Sequence, residues 1–168
     1  MEKTLKVINR MEADGVIGRY AIGGAVAAIF YVEPFTTYDL DIFFAADVSG
    51  GLISLTPIYE YLAREGYESE GEAVNVEGWP VQFLPTYNPL VAEAVEQAVE
   101  IKFKSTPTRV LSAEHLVAVM LQTGRPQDYA RAAKFLDEGV VDVELLNDIL
   151  SRHGLTKKWR EFADRFNW

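Results

Sequence analysis

The chain has 168 residues, 49% of them hydrophobic, enough to bury one sizeable core and suited to a single domain or a small domain with a helical appendage. It has no cysteine, which excludes disulfides, thiolate metal sites and a cysteine nucleophile, and with only His115 and His153 as imidazoles a zinc site or a Ser-His triad has little support. The formal net charge of −9 falls mostly in the first half, where residues 1–88 hold five Lys/Arg against 13 Asp/Glu, so extended nucleic acid is a disfavoured partner.

The longest apolar stretch, Tyr20 to Val32, is shorter than the roughly 20 residues of a membrane helix and is broken by Gly23 and Gly24. No membrane association is expected. The opening residues are polar and of mixed charge, so no secretion signal is read and cytoplasm is the expected compartment. Each histidine is expected to cap a helix end or face solvent there.

In chain order, Leu5, Ile8 and Met11 recur at helical spacing and Asp14-Gly15 supplies a stop, which predicts an opening helix. Arg19 to Ile22 reads as a short strand. Gly23-Gly24 then turns the chain into a small-residue helix, Ala25 to Tyr31, ending before Pro34. Tyr38 to Ala45 alternates, with Leu40, Ile42 and Phe44 on one face and Asp39, Asp41 and Phe43 on the other. After a Ser49-Gly50-Gly51 turn, Leu55, Ile58 and Leu62 mark a second amphipathic helix, closed by Gly66. Ala73 to Val76 and Val81 to Leu84 flank Glu77-Gly78-Trp79-Pro80 as an antiparallel hairpin.

Asn88-Pro89 starts a helix, because Asn caps free N–H groups and Pro at the first position loses no hydrogen bond. Val91, Val95 and Val99 form its expected buried stripe. Short strands follow in Glu100 to Phe103 and Arg109 to Leu111. Beyond them, helices are predicted for Ser112 to Leu121, Gln127 to Leu136, Asp142 to Leu150 and Thr156 to Phe166. The fold class is α/β (α+β): a core over 1–111 and a helical region over 112–168 packed on it. Trp159, Phe162, Phe166 and Trp168 are expected in core or homodimer packing. The acidic cluster Glu65, Glu68, Glu70 and Glu72 either meets a basic protein partner or is simply solvated.

Two carboxylates at i and i+2 on one strand face can jointly bind Mg²⁺ or Mn²⁺, hard cations that prefer oxygen ligands. Asp39 and Asp41 are the candidate metal ligands. Alone they could as well face water, but Gly23-Gly24 stands just upstream. Glycines at a helix start let backbone N–H groups approach a phosphate unobstructed, or else allow close helix–strand packing. Thr36 and Thr37 can bond phosphate oxygens or ribose, or serve as turn residues.

Gly-Gly after an apolar strand, followed by Asp-x-Asp on the next strand, resembles the nucleotidyltransferase superfamily, especially minimal members related to abortive-infection toxins. Val110-Leu111-Ser112-Ala113-Glu114-His115-Leu116 is similar to that group's helix entry, and Arg125-Pro126-Gln127-Asp128 to its Arg-x-Lys-Asp segment. The resemblance spans roughly 19–136. It implies a nucleotidyltransferase-like mixed sheet flanked by helices and followed by a C-terminal helical bundle. It also implies metal-dependent transfer of a nucleoside monophosphate from an NTP to a hydroxyl of a small molecule, RNA end or protein.

In that scheme Asp39 and Asp41 hold metal, Gly23, Gly24, Thr37, Gln82 and Arg125 meet the nucleotide, and Asp128 takes a proton or sits as a helix-start residue. The chain departs from the pattern at the hairpin strand, where Gln82 occupies the third acid's place, and at Met120 and Gln127, which stand where lysines are usual. Lys102, Lys104, Arg109, Arg125 and Arg131 are the cations available to compensate, and Glu77 is a spare acid expected in solvent. The alternative is a catalytically inactive module for nucleotide sensing or protein interaction.

Overall fold

The computed structural model describes residues 1–32, 37, 39–46 and 53–168. Thr36, Pro34, Tyr38 and the expected Ser49-Gly50-Gly51 turn lie outside the described residues. Among those described, seven strands form one mixed sheet and eight helices accompany it.

The first helix, α1 (Glu2–Ala13), buries Leu5, Ile8 and Met11 and ends at Asp14. It lies across one face of the sheet. Thr4 Oγ1 donates to Val76 O (3.1 Å), while Asn9 Nδ2 donates to Pro107 O (2.9 Å) and Asn9 Oδ1 accepts from Tyr20 OH (2.6 Å). Strand β1 (Tyr20–Ile22) is fully buried and pairs antiparallel with β2 (Leu40–Phe44), Ala21 opposite Phe43. The helix between them, α2 (Gly24–Ala28), is shorter than the sequence suggested, and its Ile29 and Phe30 are exposed.

After α3 (Thr56–Arg64) and the short β3 (Ser69–Glu70), β4 (Ala73–Val76) and β5 (Trp79–Pro85) make the expected hairpin. Trp79 and Pro80 belong to β5 and not to the turn. Glu77 and Gly78 make the turn alone, both at positive φ (54° and 83°), the signature of a two-residue hairpin whose twist matches its strands. Pro80 fits in the strand because β2 reaches only as far as Val81, leaving its missing N–H without consequence there.

Helix α4 (Pro89–Glu96) is capped as predicted, Asn88 Oδ1 accepting from Val91 N (3.0 Å). Val99 leaves the predicted stripe, however, because it opens β6 (Val99–Phe103) and is 42% exposed. β6 pairs antiparallel with β7 (Thr106–Val110), which returns parallel to β1. The resulting order is β3-β4-β5-β2-β1-β7-β6.

The C-terminal half is α5 (Ala113–Thr123), α6 (Pro126–Asp137), α7 (Val143–Arg152) and α8 (Thr156–Phe166). α5 packs on α6 and α7 and reaches back to α4 and α2. Tyr31 OH donates to Leu111 O (3.0 Å) and its ring meets Phe135, tying the end of α2 to this half. Phe162 stacks with Trp159 and Phe166 inside the chain, whereas Trp168 is exposed.

His115 departs from expectation. It stands in the first turn of α5 yet is only 2% exposed, its Nδ1 bonded to Ser112 Oγ (2.9 Å) and its Nε2 to Glu93 (3.2 Å). Arg152 and His153, at the end of α7, bond the same Glu93 carboxylate (2.6 and 2.8 Å). A single carboxylate thus clamps α4, α5 and α7, and the hydrogen bonds it accepts, that from Arg152 first, hold its pKa down at about 2.

Candidate active site

The strand alternation that buries Leu40, Ile42 and Phe44 on the α1 side sends Asp41 and Phe43 to the opposite face, toward α5 and α6. There, Asp39 and Asp41 line a cavity of about 600 Å³ together with Gly24, Thr37, Gln82, Arg125 and Asp128. Seven of the eight residues assigned to the site from the sequence meet in this one cavity, drawn from β2 and the residues leading into it, β5, the start of α2 and the α5–α6 junction; Asp39 stands just before β2 and not within it. Gly23 lies outside its lining.

The two glycines do different work. Gly23 N–H donates to Asp41 O (3.0 Å), and a Cβ on Gly23 would strike the Phe43 ring. Its backbone group is committed to holding β1 against β2. Gly24, at φ +58°, faces the cavity, and a Cβ there would overlap Asp41 Oδ2. Only glycine permits both this backbone conformation and the carboxylate's close approach.

Asp41 pairs in parallel register with Gln82 on β5, so the amide stands beside the carboxylate. Burial is the first cause that pushes the Asp41 carboxyl up to about 6; the charge of Asp39 adds to it, while Arg125 and Arg131 pull the other way. A buried carboxylate crowded by a second one is stabilised by a cation. Thr37 Oγ1 donates to Asp39 O (3.2 Å) and to Asp39 Oδ1 (3.3 Å), fixing the carboxylate at the strand's entry.

The far wall comes from the α5–α6 junction. Gly124 at φ +72° ends α5, Arg125 is the N-cap of α6, and Pro126 occupies the first helical position. This reversal turns Asp128 inward, 3% exposed, where its Oδ2 accepts from Arg125 Nε at 2.8 Å. The same contact holds the Arg125 guanidinium above its ordinary pKa. Arg131 also lines the cavity, as do Met120 and Gln127. Of the other cations considered, Lys102 and Arg109 line a separate hollow beside α1 and Lys104 sits in the β6–β7 turn, so these three do not serve this wall.

Three polar lining residues were not foreseen at the site. Glu72 reaches the cavity from the turn before β4. Tyr87, 59% exposed, stands at the mouth, and Thr123 closes α5. A strand residue opposite Phe83 would share the Ile42 face, so Glu72 meets the cavity only because it stands in the β3–β4 turn, off the strand alternation. Nothing local marks Tyr87 or Thr123.

The donor chemistry suits a hard divalent cation: two carboxylates and an amide oxygen on one wall are all oxygen ligands, as Mg²⁺ and Mn²⁺ prefer. Among the described residues, no group of three or more His, Cys, Asp or Glu is placed to hold a metal ion.

Solved structures place the architecture. An antigenic nucleotidyltransferase-like protein from Paracoccidioides brasiliensis superposes with a TM-score of 0.58 at 12% identity, covering 98% of this chain and 92% of that one. ANT(2″)-Ia in complex with adenylyl-2″-tobramycin superposes with a TM-score of 0.51 at 14% identity, over 92% and 98% of the two chains. No protein-family model matches the chain, and the comparison with curated proteins finds no match. The fold is nucleotidyltransferase-like. No helix among the described residues is long and apolar enough to cross a membrane.

Proposed function

We propose that the cavity binds an NTP with Mg²⁺ or Mn²⁺ and transfers its nucleoside monophosphate to a hydroxyl acceptor. The observation that carries this reading is the convergence of Asp39, Asp41, Gln82 and Gly24 with Arg125 and Arg131 in one cavity of the size of a ligand site. Asp39 and Asp41 would hold the metal, with the Gln82 amide oxygen as the third donor. A bound divalent cation neutralises phosphate charge and stabilises the departing oxygen of an in-line displacement. Gly24 lets the nucleotide approach the Asp41 wall without meeting a side chain. Arg125 presents charge to the phosphates and Asp128 holds it in place.

In this reaction the acceptor hydroxyl gives its proton to water, its oxygen bonds to the α-phosphorus, the bond from that phosphorus to the oxygen bridging to the β-phosphate breaks, and pyrophosphate leaves. The ANT(2″)-Ia structure, holding adenylyl-2″-tobramycin, supplies the pattern of such a product: a nucleotidyl group on a small molecule.

A second reading, a nucleotide-binding module without transfer activity, is favoured by one specific feature. Gln82 stands beside Asp41, where an acid could serve as the base, and its amide takes no proton. Thermal shift of the wild type and of Asp39→Asn/Asp41→Asn with each NTP, with and without metal, tests the common ground. A ligand at about 100 times its Kd adds about 2.7 kcal/mol. Metal-dependent stabilisation lost in the double variant supports nucleotide binding at this site, and its absence in the wild type overturns both readings. Pyrophosphate release on adding hydroxyl compounds then separates transfer from binding alone.

A further inference from the structure

We propose that the outer edge of β6 is a self-recognition surface that pairs two copies of this chain across a twofold axis at Ile101. Among the described residues, β6 is the last strand of the sheet, with β7 on one side and none on the other. It is a full strand, not a frayed one. Its Val99 is 42% exposed, and Glu100 and Lys102 are exposed as well.

The hydrogen-bonding phase of the edge follows from β7. Lys102 stands opposite Pro107, which has no N–H to offer and whose carbonyl accepts from Asn9 Nδ2 (2.9 Å), away from β6. Leu111 N, four residues on, donates to Ile22 O (3.0 Å) on β1. The odd-numbered groups of β7 thus turn away from β6, so the pairs Glu100↔Arg109 and Lys102↔Pro107 are the non-hydrogen-bonded ones. Glu100 and Lys102 therefore point their own N–H and C=O outward, to the free edge.

An antiparallel partner related by a twofold axis must be self-complementary. With the axis at Ile101, Glu100 of one copy falls opposite Lys102 of the other, twice by symmetry, and these residues own the outward backbone groups. Val99 falls opposite Phe103, covering the exposed valine, and Ile101 meets its own copy. Backbone phase permits this centre, and charge and apolar pairing select it. Moving the axis to Glu100 or to Lys102 would set like charges against each other, which is unfavourable directly across a strand pair. A lone edge lysine ordinarily guards against pairing. With a glutamate two residues before it, the lysine selects one register instead.

An interface of one short strand is small, so a weak dimer is expected, with Kd on the order of 10–100 µM. The test is sedimentation of the full chain across that range, with Glu100→Lys and Lys102→Glu alone, combined in one chain, and mixed as two single variants. Each single variant sets like charges opposite twice and is expected to weaken dimerisation at least about tenfold. The double variant restores complementarity, and so does the mixture, as a heterodimer of two chains that are each monomeric alone. Recovery on mixing also shows that the single variants are folded. A wild type monomeric throughout, a dimer indifferent to the swaps, or singles that fail to pair when mixed would each overturn the proposal.

Discussion

Replacing Asp41 by Asn should stabilise the protein in the absence of ligand. The carboxyl is raised from 3.8 to about 6, first by burial and then by Asp39, so the fold prefers its neutral form. A folded-state pKa above the unfolded value means a contribution fully present below about pH 4 and lost as pH rises through about 6. Two units correspond to about 3 kcal/mol at neutral pH, or roughly 6–12 °C in Tm for a chain of this length. Asn keeps the shape of the side chain beside Gly24 and removes the charge. Thermal or urea unfolding of both proteins should give near-equal stability at about pH 4 and a gap in favour of Asp41→Asn that opens by about pH 7.5. Mg²⁺ should narrow that gap by stabilising only the wild type. If Asp41→Asn is no more stable than the wild type at neutral pH, or the difference ignores pH, the carboxylate is not held against its own ionisation and the metal-site reasoning fails.

Gln82→Glu places a third carboxylate beside Asp41 and should tighten divalent metal binding roughly tenfold while lowering metal-free stability; calorimetric titration and Tm measure both, and no change in either would show that position 82 does not face the metal. Gly24→Ala should lose more stability than Gly66→Ala. Both sit at positive φ, a strain of about 1–2 kcal/mol for a non-glycine residue, but only at Gly24 does the new methyl meet Asp41 Oδ2. Equal losses in unfolding experiments would mean the close approach is unimportant. Glu93→Gln should destabilise by about 1–2 kcal/mol at neutral pH, a figure reduced for solvent screening of Arg152. A depressed carboxylate contributes above its unfolded value near 4.5 and loses that contribution as pH falls toward about 2, so the two proteins should converge in acid. A gap that persists at low pH would exclude the clamp as its cause.

Local physics determined much of this protein from the sequence alone. The Asn88 cap and the strand alternation from Leu40 to Phe44 each depend on residues within a few positions, and each occurs as the spacing requires. The same alternation placed Asp41 on the face away from Ile42 before any neighbour was known. Where local signals competed, they were less informative. Val99 continued a helical stripe but entered β6, because Val95, Ala94 and Val91 already fill the buried side of α4 and pairing with Val110 takes the next residue. Pro80 looked like a turn residue, although its strand neighbour ends one residue short of it.

Tertiary structure decided what distant segments do together. That Gln82 stands beside Asp41 depends on the β2–β5 register, and that Arg125 and Arg131 face the two acids depends on how the α5–α6 junction folds back over the sheet. His115 became a buried partner of Glu93 only because α4, α5 and α7 converge. Side-chain direction is set within one strand or one helical turn, and a sequence shows it. Proximity between segments is set by packing over long chain separations, where many arrangements share one local pattern and only the assembled core selects among them.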